Sequence, residues 1–300
     1  MKAISLNFWH KCNNKCIFCF CREKDLIKEK ITPPVIHSLR ELGKFFLKYK
    51  LNCDLVIFSG NEPTLNPKLL PAVLLAKKIG YQVEIRTNGR YLKDKNFCKK
   101  LLMVGIDQIG ITVLSHKNKI HDFLTQRVGS FKETIKGIKN LVKLGLAEKI
   151  RLYSVINKFN YKHLPESLLF YYKLGIKNIR FNFVYHNNPY IVPKLSDLKK
   201  YLVKCLSLAN KRKIFVLFYG IPLCVLGEKY KKFISEFYLK NELILGGRIS
   251  DYFYLRKKMG KRKTKYCKKC YQNNICEGTW KSYYNIYGEE EFKKWAKKYD

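Results

Sequence analysis

The sequence predicts an α/β protein: a parallel sheet curled into a partial, open (β/α)6 TIM-like barrel, followed by a small C-terminal α+β cysteine-rich domain. Three observations carry this expectation. Apolar runs alternate with amphipathic stretches over about the first 185 residues, the pattern of strands buried between helices. Glycines stand where several of those helices should close, and cysteines gather near both ends of the chain.

The strand-like runs lie at 3–8, 53–58, 82–86, 108–113, 149–156 and 177–184, and the helix-like stretches at 34–49, 67–79, 94–104, 131–144 and 163–174. Six strands alternating with helices imply parallel pairing, and right-handed crossovers curl such a sheet. Six units are fewer than the eight of a closed barrel, so an open side is expected. Beyond Asn187 the alternation weakens, which divides the chain into a barrel at 1–190 and a smaller domain at 191–300. In the second part, 195–210 reads as a helix, 214–219 as a strand, 229–242 as a mixed helix and 289–298 as a terminal helix.

Composition narrows the class. Of 300 residues, 47% are hydrophobic and 9 are proline, which supports a sizeable core and excludes disorder. No apolar run approaches the roughly 18 residues that span a bilayer, and the N-terminus lacks a secretory pattern, so a cytoplasmic protein with no membrane partner is expected. The net charge of +37 points toward a polyanion, but lysine dominates the 60 basic residues, with eleven arginines among them. A compositional bias toward lysine explains much of this. The scarcity of acids, 23 in all, leaves some preference for an anionic partner. The most basic segment is 256–269, with nine Lys or Arg in fourteen positions.

In barrels of this kind, chemistry sits at the carboxyl ends of the strands. There the first loop carries Cys12, Cys16 and Cys19 as C-x3-C-x2-C. Three thiolates in one loop can hold three irons of a [4Fe-4S] cube and leave the fourth open to a chelating ligand, such as the amino and carboxylate groups of a methionine moiety. A structural zinc completed by His10 or Cys21, or inert thiols, are the alternatives. The second loop reads SGNEPT, the third Thr87-Asn88-Gly89, and Ser115 and Asn157 follow the fourth and fifth strands.

The cysteine triplet, with Phe18 before its third member, resembles the signature of the radical S-adenosylmethionine (SAM) superfamily, and the resemblance covers residues 1 to about 185. SGNEPT, with Gly60, Asn61, Glu62 and Pro63, resembles that family's G-G-E-P motif for the methionine amino group, Asn61 replacing its second glycine. The resemblance further places Thr87, Asn88, Ser115 and Asn157 at ribose or carboxylate contacts, and the Phe18 backbone against adenine. The segment 121–131 resembles a linker found in many of the family's maturases. Lys11, Lys15 and Arg22 would favour the reduced cluster, or simply lie in solvent. His116, His121 and His186 read as structural or surface histidines.

Near the C-terminus, Cys267, Cys270 and Cys276 form C-x2-C-x5-C, preceded by Cys224. Four thiolates suit a second [4Fe-4S] cluster or a zinc ion. The spacing resembles the SPASM auxiliary-cluster domain, and Trp280, standing where that domain has a further cysteine, favours its shorter twitch form with Cys224 as fourth ligand. Cys205 is a weaker candidate, Cys53 and Cys98 read as packed side chains, and Cys21 is unassigned. Tyr266, Tyr271 and Trp280 are placed to shield that second site.

The resemblance implies reductive cleavage of SAM to a 5′-deoxyadenosyl radical, with electrons from a flavodoxin- or ferredoxin-type donor. It favours a peptide or protein substrate. RNA, a nucleotide or a cofactor precursor is the alternative within the enzyme class, and a zinc-bearing basic nucleic-acid-binding protein the alternative outside it.

Overall fold

The computed structural model describes residues 3–19, 38–234, 242–245, 248–251 and 260–296. Seven parallel strands follow one another in order across the sheet: β1 (Ala3–Trp9), β2 (Leu55–Gly60), β3 (Gln82–Thr87), β4 (Gln108–Thr112), β5 (Ile150–Ile156), β6 (Asn178–Phe183) and β7 (Phe215–Tyr219). The strand expected at 214–219 is thus a seventh member of the main sheet, pairing in parallel with β6 from Asn178↔Phe215 to Asn182↔Tyr219. Its central residues Val216, Leu217 and Phe218 are buried beside β6, which the weakened alternation after Asn187 had obscured.

The sheet does not close. Its edges are β7 on one side and, beyond β1, a two-stranded addition on the other: β8 (Glu242–Leu245) runs parallel to β1, and β9 (Arg248–Asp251) turns back against β8. This corrects the helix expected at 229–242. A 3-10 turn at Glu228–Phe233 begins that segment, residues 235–241 lie outside the described residues, and Glu242 already belongs to β8. Gly246-Gly247 in the sequence is a two-residue hairpin signal that a helical reading passes over. The terminal helix expected at 289–298 is a 3-10 turn at Glu290–Lys294, and residues 297–300 lie outside the described residues.

Helices cover one face of the sheet: α1 (Leu39–Tyr49), α2 (Leu69–Lys78), α3 (Lys95–Met103), α4 (Asn118–Thr125), α5 (Ser130–Lys143), α6 (Leu164–Lys173) and α7 (Leu195–Arg212). Their starts are chemically marked. Ser38 and Glu41 form a reciprocal capping box on α1, and the Asp94 carboxylate accepts from the Asn96 and Phe97 amides of α3. The start expected at 34 for α1 lies outside the described residues. Period-2 alternation then sorts the strands. Val83, Ile85, Ile109, Ile111, Leu152, Ile179, Phe181, Val216 and Phe218 pack against the helices in one core. The alternate residues, among them Ser5, Asn7, Ser59, Glu84, Arg86, Thr112, Arg151, Tyr153, Arg180 and Asn182, face the opposite side. There only Ala3, Leu55 and Ile57 form a small apolar cluster of their own. The sheet therefore has a dry outer face and a polar inner one. No helix among the described residues is long and apolar enough to cross a membrane.

The segment 121–131, which resembles a linker of the family's maturases, starts within α4, a helix of eight residues, and ends in the first turn of α5. His121 on α4 is buried, and its Nδ1 accepts the Leu114 amide at 3.2 Å. Burial pulls its pKa down to about 4. A folded-state value below the ordinary one means that the unfolded chain takes up the proton first. The stability held by neutral His121 is therefore complete above about pH 6.5 and lost as the pH falls toward 4. Between pH 7 and pH 5 this predicts a loss of about 2 kcal/mol through His121. Urea titrations of the wild type and His121→Asn at both pH values measure it; equal pH sensitivity in the two proteins would refute the assignment.

Candidate active site

The carboxyl ends of β1, β2 and β3 converge on one buried carboxylate. Glu62, at the start of the 3-10 turn after β2, is fully buried. Its Oε1 accepts from the Thr64 amide (3.1 Å), the Thr64 hydroxyl (2.6 Å) and the Thr87 hydroxyl (2.6 Å), and its Oε2 accepts from the Asn88 amide (2.7 Å). Burial pushes this carboxyl up from its ordinary range, and the donated hydrogen bonds oppose the shift. Gly60 supplies the turn before it. It has φ +103°, and a Cβ there would lie 1.9 Å from Asn7 Oδ1, so neither the backbone nor the space admits a side chain. Asn61 keeps the turn closed by donating through its side chain to the Trp9 carbonyl at 3.4 Å.

Asn88 connects this knot to the cysteines. Its Nδ2 lies 2.6 Å from Asn13 Oδ1 and 3.8 Å from Cys12 Sγ, and the Asn14 amide donates to the same sulfur at 3.4 Å. The cysteine loop is held from two further directions. Arg90 reaches the Asn13 carbonyl and Asn14 Oδ1 while its Nε pairs with Glu133 at 2.6 Å. The last carbonyls of α4 accept loop amides, Thr125 from Lys15 (2.8 Å) and Leu124 from Ile17 (3.1 Å), which satisfies orphan groups of that helix end. Asp122 of the same helix accepts from Gly129, Ser130 and Phe131 and so caps α5. Asn13, Asn14 and Arg90 were not singled out in the sequence. The signal for Arg90 was its place directly after Thr87-Asn88-Gly89.

Cys12 is exposed, Cys16 and Cys19 half-buried. Partial burial pushes the Cys12 thiol up, and the negative charge of Glu62 and Cys19 adds to the shift, so thiolates gathered here call for a cation. Phe18 is half-buried and packs on the core. Ser115 and Asn157 are both fully buried. Ser115 Oγ accepts the Lys117 amide, and the Asn157 side chain is used within its own turn, donating to the Val155 carbonyl and accepting from Phe159. Cys21 and Arg22 lie outside the described residues.

Residues 6–171 match the radical SAM superfamily, more than half of the chain. The chain belongs to this superfamily. Over 161 residues, 53% of this chain and 38% of its relative, it is 29% identical to the Fe-coproporphyrin III synthase of Methanosarcina barkeri. Over 180 residues, 60% of this chain and 56% of its relative, it is 27% identical to a probable GTP 3',8-cyclase of Saccharolobus islandicus. The matched segment thus spans less than two thirds of either relative. Among solved structures, Streptococcus suis SuiB superposes with a TM-score of 0.66 at 17% identity over 94% of this chain and 73% of that one. AdoMet-bound anSMEcpe superposes with 0.58 at 16% identity over 70% of this chain and 60% of that one. At these identities the likeness is one of fold.

Membership implies a [4Fe-4S] cluster and SAM, and the residues present fit both. Three thiols share one pinned loop. Asn7 Oδ1 is buried with no hydrogen-bond partner among the described residues, beside the Gly60 turn, where an ammonium donor would satisfy it. The Glu62 knot, Asn88 and the cysteine loop thus meet at the carboxyl ends of β1, β2 and β3.

The second group of cysteines is gathered differently. Cys224 lies in a helical turn after β7, and Cys267, Cys270 and Cys276 in a compact loop, yet all four line one pocket with Pro222, Thr264 and Phe292. Burial, then the three other cysteines, push the Cys224 thiol up. Among the described residues no three Cys, His, Asp or Glu side chains converge tightly enough to grip a single ion. Of the aromatic residues expected to shield this pocket, Tyr271 stays beside it, its hydroxyl accepting from Gln272, while two serve elsewhere. Trp280 packs between Tyr185 and Tyr219 at the ends of β6 and β7, and the Tyr266 hydroxyl binds Glu290. Cys205, Cys98 and Cys53 are buried in the core.

Arg90→Lys keeps a charge but loses the fork that spans two asparagines and Glu133. Support of this kind typically changes metal affinity or activity by about 10- to 100-fold. Iron retained per chain on titration with a chelator should fall accordingly in Arg90→Lys, and equal retention would remove Arg90 from the cluster's support.

Proposed function

We propose that the protein is a radical SAM maturase acting on a peptide or protein substrate, with Cys12, Cys16 and Cys19 holding the SAM-binding cluster and Cys224, Cys267, Cys270 and Cys276 holding a second [4Fe-4S] cluster in a twitch-like C-terminal unit. The observation that carries the reading is the shared pocket of the four C-terminal cysteines, attached to a barrel whose likeness to SuiB extends over 94% of the chain. SuiB has also been solved with its precursor peptide SuiA. When bound, the cluster and SAM supply a one-electron reduction and a 5′-deoxyadenosyl radical, fed by a flavodoxin- or ferredoxin-type donor. The chain's own part is to orient and to exclude competing reactions. Gly60 and Asn7 receive the methionine end of SAM, Asn88 and the Asn14 amide donate to Cys12, Thr87, Asn88, Ser115 and Asn157 stand at the ribose or carboxylate contacts, and the Phe18 backbone stands against adenine. The sequence pattern sets the boundary between barrel and C-terminal unit at about 190, with β7, β8 and β9 beyond it joining the barrel's sheet. A cytoplasmic location accords with this chemistry.

A second reading, a nucleotide or cofactor-precursor substrate, is favoured by the higher identity, 27–29%, to relatives named for GTP and coproporphyrin chemistry. Those matches cover only 53% and 60% of the chain, however, and the maturase reading accounts for the C-terminal cysteines as well.

Anaerobically reconstituted protein with SAM and a strong reductant should form 5′-deoxyadenosine, and Cys16→Ala should abolish it. Undiminished turnover in that variant would displace the SAM site from this loop. Two four-iron centres predict that native protein carries about twice the iron of Cys267→Ala. Zinc and no iron in a Cys12, Cys16, Cys19 triple-Ala variant would make the C-terminal site a structural staple.

A further inference from the structure

Three of the eleven arginines face the inner side of the sheet, and they do so together. Glu84 on β3 is fully enclosed, with 1% of its side chain exposed. Its Oε1 accepts from Arg86 Nε (2.8 Å) and the Tyr153 hydroxyl (3.2 Å), and its Oε2 from Arg151 Nη1 (3.3 Å). Arg180, one strand further, lies 5.9 Å from the Tyr153 ring on which Arg86 also packs at 5.6 Å. Gly110 on β4 makes this convergence possible. A Cβ there would lie 2.7 Å from Tyr153 and 3.3 Å from both Arg86 and Glu84, so the side chains of β3 and β5 meet over a strand that offers them no obstacle.

Among the described residues one carboxylate, Glu84, stands among these three guanidinium groups, and its oxygens are engaged without Arg180. The Nε of Arg180 is buried with no hydrogen-bond partner among the described residues. Leaving a buried guanidinium donor unmet is costly, and a planar fork of donors matches an oxyanion better than any other common group. The site is also reachable, since the Arg86 and Arg151 side chains keep 38% and 22% of their surface.

We propose that Arg86, Arg151 and Arg180 form an anion-binding subsite inside the barrel that seats a carboxylate or phosphate group of the substrate. This rests on the protein being a radical SAM enzyme whose substrate enters the barrel, and not on that substrate being a peptide. The subsite holds the anionic end of the molecule below the strand ends, leaving the rest to extend toward the cysteine loop where the radical is made.

The test uses anaerobic, cluster-loaded protein and two probes, inorganic phosphate and glutarate, titrated calorimetrically against chloride at matched ionic strength. Wild type should bind at least one probe. Arg180→Met should weaken it by about tenfold or more, Arg180→Lys should restore part of the binding, and the exposed Arg127→Ala should leave it unchanged. Preference for phosphate assigns the subsite to a phosphate-bearing substrate, and preference for glutarate to a carboxylate. Absence of binding in wild type, equal binding in Arg180→Met, or displacement of the probe by SAM would overturn the proposal, the last by giving the arginines to the cofactor's own carboxylate. Formation of 5′-deoxyadenosine by the wild type is read separately, so failure of the radical reading and failure of the subsite remain distinct.

Discussion

Everything at the functional end hangs on Glu62. A carboxylate removed from water is costly unless its oxygens are filled, and here they are filled by groups from two different strand ends, Thr64 after β2 and Thr87 and Asn88 after β3. The same requirement fixes Asn88, whose backbone is tied to Glu62 and whose side chain is thereby aimed at Asn13 and Cys12. The cysteine loop needs this kind of support, because its three cysteines lie in irregular backbone with no ladder of its own. The support comes from neighbours in space: Asn88 on one side, Arg90 with Glu133 on another, and the carbonyl end of α4 on a third.

The polar inner face follows from the same economy. Parallel strands of a closed, packed sheet read as nearly continuous apolar runs, whereas β3, β5 and β6 alternate apolar residues with Glu, Arg, Tyr and Asn. Such strands fit a sheet that packs helices on one face only and leaves the other to a polar ligand. The missing closure between β7 and β1 is consistent with that, since a wound sheet with an open side admits a substrate larger than a barrel's filled interior would. The C-terminal unit attaches at that end through Trp280, which packs on Tyr185 and Tyr219, and through the Tyr287 hydroxyl, which donates to the Val192 carbonyl. This brings Cys224, itself just beyond β7, into the pocket of the later cysteines.

Local chemistry determined what the sequence alone made legible. Period and spacing placed six strands and most of the helices within a few residues, because burial on one face leaves a mark every second or every third to fourth position. C-x3-C-x2-C and SGNEPT were legible because each is a complete local device, a loop of closely spaced thiols and a turn that Gly60 permits. What only the tertiary structure decided are the contacts between segments distant in the chain. Arg90 beneath the cysteine loop, Glu84 bonded by Arg151 and Tyr153, and Cys224 sharing a pocket with Cys267 all involve side chains whose partners lie tens of residues away, and a lone arginine in a strand reads as solvated until its neighbours are known. The strand at 242–245 belongs to the same class. Its pairing with β1 spans nearly the whole chain, and a strand whose partner is so remote leaves no periodic trace by which four residues can be told from a helix.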